Sequence, residues 1–397
     1  MRGRKMEEVL YLDNAATTFP KPEAVYRAMD KANRDYAVNA GRGAYALAAK
    51  AEDIISETRE QLKRLAGADE VAEVVFTASA TLACNQIFGG LDWGKIATVY
   101  VSPFEHNATA RSLHHYQKQY GFCIQELAMK EDALELDTEK IRYQFLREKP
   151  DLVVLSHVSN VTGYILPIEE IALDAKKYQA IVVIDGAQAL GVVPLSLRSC
   201  PADFYVFAGH KTLYGPFGTG GFLANGNCPL QPLLAGGTGS DSLNLEMPSE
   251  GTLAYEPGSP NIVSVAGLLA SLKELEQVEG RKENPAYFLE KEQWLTEFMI
   301  RELEKISGVT LYLPADLKRH AGIVSFDIEG YQAADVGMIL DADYNIAVRT
   351  GYQCAPFIHK YLNDFESLGV VRASVGRFTT EEEIRKFVDA VREIAEG

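Results

Sequence analysis

The sequence predicts an α/β fold, with helices around a mainly parallel sheet and a smaller α+β domain after it. Three observations carry that prediction. Short β-branched runs recur through the first two-thirds of the chain without alternating with polar residues. Such runs suit strands buried on both faces. Helical stretches lie between them, and alternating strands and helices imply an α/β sandwich. The last third breaks the alternation with a long charged helix that keeps its apolar residues at helical spacing.

In chain order, Ala46–Leu65 reads as a helix. Strand candidates follow at Glu73–Thr77, Ile96–Ser102 and Leu152–His157, then a helix at Ile168–Tyr178, then strands at Ile181–Asp185 and Phe204–Phe207. Several of these strands end in polar residues: Thr77 with Ser79, His157 with Asn160, Asp185 with Gln188, and His210 with Lys211. Open α/β sheets bind ligands outside the carboxyl ends of their strands, so a site is expected there. The uncharged run between Lys211 and Asp241 is rich in Gly and Pro and reads as turns and loops. Helices are expected at Ser264–Val278 and Ala286–Ile306, and strands at Gly322–Ile328 and Val370–Ser374. The final helix is expected at Thr380–Glu396, with Thr379 or Thr380 as N-cap before Glu381–Glu383. The domains expected are 16–265 (large) and 1–15 with 266–397 (small).

Composition narrows the function classes. At roughly 150 residues per domain, 397 residues allow two or three domains. Lys and Arg number 39 against 55 Asp and Glu, a net charge of −16. That acidity argues against a nucleic-acid surface, which needs a basic footprint, and against an anionic membrane. Five cysteines are too few, and odd in number, for a disulfide scaffold, which favours a reducing cytoplasm. No segment reads as a membrane span, and the charged start Met1–Glu8 has no apolar run after it. His114 and His115 fall on an expected helix with no suitably spaced Cys or Asp cluster, so no metal site is expected.

The strongest local signal is Phe204-Tyr-Val-Phe-Ala-Gly-His-Lys211, a lysine just after a buried strand and before a Gly-rich turn. A Schiff-base lysine needs such a setting, because its amine must be partly neutral to attack a carbonyl. Taken alone, a solvated loop lysine is the commoner case. Asp185 shifts the balance by ending an apolar strand about one crossover before Lys211. A PLP enzyme needs an anion beside the pyridinium nitrogen, which keeps the ring an electron sink. The ordinary alternative is that Asp185 caps the next helix.

With these residues in view, the chain resembles a fold-type I PLP enzyme of the class V aminotransferase family. Within it, the chain is similar to cysteine desulfurases and selenocysteine lyases. The motifs run in the family's order: Tyr11–Thr18, Glu105-His106, His157–Asn160, Asp185–Gln188, Gly209–Lys211, Tyr255–Asn261, Arg349–Pro356 and Arg372–Ser374. So many matches in register are implausible by chance. The resemblance implies a seven-stranded, mainly parallel sheet and pyridoxal 5'-phosphate as cofactor. It implies that Lys211 forms the Schiff base and moves a proton, that Asp185 pairs with the ring nitrogen and that His106 stacks on the ring. Asn160 and Gln188 would bond the phenolic oxygen. Thr81, with Ala80 beside it and the helix N-terminus behind it, would hold the phosphate together with His210. Ser259 would reach the partner subunit's phosphate, implying a homodimer whose site is completed by the second subunit. Arg372 would bind the carboxylate of a small amino-acid substrate, helped by Arg349, with Asn160 and Ala15 also beside the substrate. A sulfur-acceptor protein is an implied partner.

Cys354 decides the reaction. In a desulfurase a thiolate takes the substrate sulfur as a persulfide and alanine leaves. Such a cysteine must be exposed, mobile and readily deprotonated. Cys354 follows Gly351 in turn-like sequence close to Arg349; the ordinary alternative is a small buried residue. The other four cysteines take the structural reading. The chain also departs from the family pattern. Tyr352-Gln353 stands where two histidines are usual before the cysteine, and Ala208 and Ala80 stand where hydroxyl residues are common. The main expectation is therefore a cysteine desulfurase, with selenocysteine lyase activity as a variant. The alternatives are an aminotransferase, a C–S β-lyase acting on an amino acid such as cystine, or a non-catalytic binding protein on the same fold.

Overall fold

The computed structural model describes residues 9–40, 43–131, 133–225, 228–240, 242–278 and 286–397. The charged start at residues 1–8 lies outside them. In chain order come β1 (Leu10–Tyr11), α1 (Glu23–Asp35), α2 (Ala46–Leu65), β2 (Glu73–Thr77), α3 (Ala80–Gly90), β3 (Thr98–Val101), α4 (Asn107–Tyr120), β4 (Cys123–Glu126), α5 (Thr138–Arg147), β5 (Leu152–Ser156), α6 (Ile168–Lys176), β6 (Ile181–Asp185), β7 (Phe204–Ala208) and β8 (Gly220–Ala224). Then follow α7 (Ile262–Val278), α8 (Ala286–Leu303), β9 (Val309–Tyr312), β10 (Ile323–Ile328), α9 (Ala333–Tyr344), β11 (Ile346–Ala347), β12 (Arg349–Gly351), α10 (His359–Leu362), β13 (Val370–Ser374) and α11 (Glu381–Glu396).

A seven-stranded sheet in the order β2-β8-β7-β6-β5-β3-β4 forms the large layer. Only β8 runs antiparallel to its neighbours. Successive residues of one strand serve opposite cores. Val153, Leu155, Val182 and Ile184 pack on one face, while Leu152, Val154 and Val183 pack on the other. This two-sided burial is why the strands read as unbroken apolar runs.

β8 corrects the sequence reading, which gave its stretch to turns and loops. Its glycines are there for space. A Cβ on Gly221 would lie 2.1 Å from the Val75 carbonyl, and one on Gly220 would meet the Ser79–Ala80 backbone at under 3 Å. Glycine allows the antiparallel strand to close against β2 and lets the start of α3 approach it.

The smaller sheet is antiparallel, in the order β12-β13-β10-β9. Its core is shared with α8, α9 and α11 through residues such as Leu295, Phe326, Leu340 and Phe387. Thr380, rather than Thr379, caps α11, and Glu383 returns the bond as a full capping box. The boundary expected at 265–266 falls inside α7. That helix packs along α1 and α2, and its Leu268, Leu272 and Leu275 belong to the large core. The N-terminal segment ties the two layers together: β1 pairs with β11 and Asp13 bridges to Ser374 on the small side, while the Thr18 amide donates to the His210 carbonyl at 3.2 Å on the large side.

Candidate active site

The carboxyl ends of β5, β6 and β7 meet at one place. β5 leads to Asn160, β6 ends in Asp185, and β7 leads through Ala208-Gly209 to Lys211. A tight turn follows Lys211, whose carbonyl accepts the Tyr214 amide at 2.8 Å. Burial lowers the Lys211 pKa to about 8, with Asp185 opposing and the Arg372 and Arg349 charges adding to the fall. An amine poised there is partly neutral near physiological pH, as attack on a carbonyl requires. Asp185 is buried, and burial raises its pKa against the Ala187 amide and the Lys211 charge. Its Oδ1 accepts that amide at 3.0 Å, and a turn rather than a helix follows it. The carboxylate therefore closes a turn and keeps capacity for a cationic partner.

His106 is the N-cap of α4. Its Nδ1 accepts the Ala108 amide at 3.0 Å, which leaves the proton on Nε2. Burial, then the charges of Lys211, Arg349, Arg372 and Arg111, lower its pKa to about 3, so the ring is neutral. Behind it, Glu105 is fully buried. Its Oε1 accepts the Ser102 hydroxyl at 2.5 Å and the Ser156 amide at 2.6 Å, tying the His106 corner to the end of β5. Burial raises the Glu105 pKa to about 8.

Asn160 gives its amide Nδ2 to the Gln353 carbonyl at 2.7 Å, while its buried Oδ1 has no partner. Gln188 gives Nε2 to the Ala15 carbonyl at 2.7 Å, and the Ala15 amide donates to Ser374 Oγ at 2.9 Å. At the start of α3, Ser79 Oγ accepts the Leu82 amide. The preceding amides, Ala80 and Thr81, have no intrahelical acceptor, which makes an anion seat. His210 stacks on Phe217 with ring centroids 4.7 Å apart, and its Nδ1 lies 3.1 Å from Thr17 Oγ1. Burial, then Lys211 and Lys21, lower the His210 pKa to about 4.

Arg372 lies buried on β13. Its Nη2 donates to Asp13 Oδ1 at 2.7 Å and its Nη1 to the Asn160 carbonyl at 2.9 Å, while its Nε has no acceptor. Arg349 donates from Nη2 to Cys354 Sγ at 3.1 Å. The turn carrying that sulfur is unusual. Gly351, Gln353 and Cys354 all have left-handed φ, at 90°, 49° and 58°. For non-glycine residues such backbone is held by its surroundings. Gln353 does much of the holding, since its Nε2 donates to the Gly351 and Val370 carbonyls at 3.1 and 3.2 Å. His359 Nε2 donates to the Tyr352 carbonyl at 2.8 Å, and the Cys354 carbonyl accepts the Asn107 amide at 2.7 Å.

The structure thus gathers Lys211, Asp185, His106, Asn160, Gln188, Ala15, Arg372, Arg349 and Cys354 into one region, linked partly by hydrogen bonds and partly by charge. Thr81 is exposed on the first turn of α3, and Ser259 is exposed and makes no hydrogen bond to this region. The sequence reading gave no role to Lys21. Its ammonium, half-buried among the described residues without a carboxylate, donates to the His210 carbonyl at 2.6 Å and Thr18 Oγ1 at 2.7 Å. Burial lowers its pKa to about 7. Its signal was its place just after the opening motif Tyr11–Thr18. Glu105 and Asp13 were quoted within motifs but given no task.

A family model described as Aminotransferase class-V matches residues 10–387. A probable cysteine desulfurase of Halalkalibacterium halodurans is 33% identical over 391 residues, covering 95% of this chain and 90% of that protein. A cysteine desulfurase of Pectobacterium atrosepticum is 29% identical over 397 residues, covering 98% of this chain and 93% of its own. The solved structure of a cysteine desulfurase from Thermococcus onnurineus NA1 superposes with a TM-score of 0.90 at 30% identity, covering 98% of this chain and 95% of that one.

Proposed function

The chain belongs to the class V aminotransferase family, and from that premise we propose that it is a PLP-dependent cysteine desulfurase. It would convert L-cysteine to L-alanine and keep the sulfur on Cys354 as a persulfide. The residues present fit the cofactor. Asp185 is a buried carboxylate with no salt bridge among the described residues, and a pyridinium nitrogen would give it a cationic partner. Asn160 has an orphaned Oδ1 at the same place, and α3 offers free amides to a phosphate. When bound, the cofactor supplies an electron sink for negative charge at the substrate Cα.

Each remaining task falls to a side chain of this protein. Lys211 would attach the cofactor and then carry a proton to and from Cα. Asp185 would keep the ring nitrogen protonated. His106, neutral with its proton on Nε2, would cover the ring. Gln188 and Asn160 would orient the ring's oxygen, and the Ala80–Thr81 turn and His210 would hold the phosphate. Arg372 would take the substrate carboxylate, its unmet Nε giving it a free donor. Arg349 sets a positive charge and a donor against Sγ, and Cys354 then attacks the substrate sulfur. The substrate C–S bond breaks, an S–S bond forms, and the carbon fragment leaves as alanine after protonation.

The observation that carries this reading is the attachment of the thiol turn to the cofactor bed. Asn107, next to His106, donates to the Cys354 carbonyl, and Asn160 donates to the Gln353 carbonyl. The turn that carries the sulfur is tied by its backbone to residues that would hold the cofactor, and Cys354 lies close enough to Lys211 to act on its charge. The experiment is mass spectrometry after L-cysteine. One added sulfur on Cys354 is expected, with none in Cys354→Ala although that variant still takes up PLP and its colour. Unchanged sulfur release by Cys354→Ala would sink the reading. L-selenocysteine is proposed as a second substrate, since selenium is the better leaving atom.

A homodimer is proposed, with Ser259 reaching the partner subunit's phosphate. Supporting it, Leu243 and Leu245 are 97% and 99% exposed on the segment that leads to Ser259, an apolar surface that a second copy would cover. A cytoplasmic location is proposed on the sparing use of cysteine. Among the described residues, no helix is long and apolar enough to cross a membrane.

A further inference from the structure

We propose that the open groove beside Cys354 is the docking site for an acidic, extended, thiol-bearing segment of the protein that receives the sulfur. The inference rests on the desulfurase reading and goes on to name the surface and the chemistry of the partner. The groove has a volume of about 870 Å³ and Cys354 lies in its wall. One side is α4 from Asn107 to Gln117, which at 1.5 Å per residue runs for roughly 15 Å. A small thiol needs far less, whereas an extended chain at about 3.3 Å per residue fills it with four or five residues.

Its chemistry is equally particular. Tyr352, Tyr361 and Phe365 are exposed there, the kind of aromatic surface that interfaces cover. Arg111 and Lys360 supply two cations against a single carboxylate, Glu126, which Lys360 already holds at 2.6 Å. Arg111 forms no salt bridge among the described residues, and His114 lies one turn further along α4. On a chain of net charge −16, a cationic lip at the sulfur selects an acidic partner and repels a basic one.

The transfer balances without an oxidant. The acceptor thiolate attacks the outer sulfur of the Cys354 persulfide, the old S–S bond breaks, and its electron pair returns to Sγ. A new S–S bond carries the sulfur away. The test uses the full chain with Cys354 loaded from inorganic polysulfide, so it does not depend on turnover of L-cysteine. Two five-residue peptides with a central cysteine, one flanked by Asp and Glu and one by Lys, are offered as acceptors beside 2-mercaptoethanol. Mass spectrometry follows the sulfur.

The acidic peptide is expected to take sulfur about tenfold faster than the basic one at low salt, the gap closing as salt rises. Arg111→Glu and His114→Glu should each narrow or invert that ratio while leaving transfer to 2-mercaptoethanol unchanged. Equal peptide rates would overturn the proposal, as would a loss with 2-mercaptoethanol equal to the loss with the peptide. Two slow peptides beside a fast small thiol would mean that something else, such as a second copy, covers the groove, and would also overturn it. Failure of L-cysteine to load Cys354 would count against the desulfurase reading alone.

Discussion

The bed around Lys211 and the turn around Cys354 lie side by side and are built in opposite ways. The bed is made from the ends of three parallel strands whose residues are buried on both faces. Its charged groups are desolvated, and burial is the first cause of every shift found there, at Lys211, Asp185, His106 and His210. The turn instead has left-handed residues and forms one wall of an open groove. It is shaped by side chains reaching for backbone carbonyls, Gln353 and His359 above all. The difference teaches a division of labour. The bed offers a cofactor dry groups whose pKa values are shifted first by burial, as its proposed role requires. The thiol sits on a turn held by a few side-chain bonds to backbone carbonyls at the edge of an open groove.

Substitutions can break that comparison. The largest effect is expected for Lys211→Ala in the bed, which should lose the visible absorbance of lysine-bound cofactor and cut turnover on the order of a thousandfold or more. The thiol should remain reactive toward alkylating reagents, and a matching loss of alkylation would show that bed and turn are not separable. In the unaltered protein, cofactor attachment should speed up as pH rises through about 8. A lowered lysine pKa leaves the neutral amine present above that value and the protonated one below it. Gln353→Ala should act on the turn. Removing its carbonyl contacts costs about 1–3 kcal/mol locally, so kcat falls while the cofactor spectrum stays as it was.

Lys21→Met should act on the bed alone. Loss of a charged donor to the His210 carbonyl is worth about 1.5–3 kcal/mol, roughly tenfold or more in PLP affinity, and equilibrium dialysis would measure it. A lower rate of persulfide formation at saturating PLP would instead tie Lys21 to the thiol. The smallest change is expected for Ala208→Ser, which adds a hydroxyl near the phosphate seat and should tighten PLP binding several-fold. No gain would mean that the Ala208 side chain faces away from that seat.

Much of the bed was legible because strand ends are local features. Asp185 and Lys211 each close an apolar run, and their adjacency follows from the pairing of β6 with β7. β8 was not legible. Its glycines look like turn residues until the Val75 carbonyl and the Ser79–Ala80 backbone are seen to crowd them. Arg372 was legible as a cation but not as one already held, since Asp13 lies 359 residues away. Lys21 was passed over for the same reason, its acceptor being 189 residues distant.

By itself the sequence determined the layered α/β fold, the order of the motifs, and the chemistry implied by a lysine, an aspartate and a cysteine in their family places. Periodicity and residue type are properties of the chain, and burial acts on them wherever the chain goes. Only the tertiary structure decided which charges are desolvated, which donors are already engaged, and where the thiol faces. Those depend on contacts between residues hundreds of positions apart. The protonation of Lys211, the hold of Asp13 on Arg372 and the groove beside Cys354 all arise from such contacts.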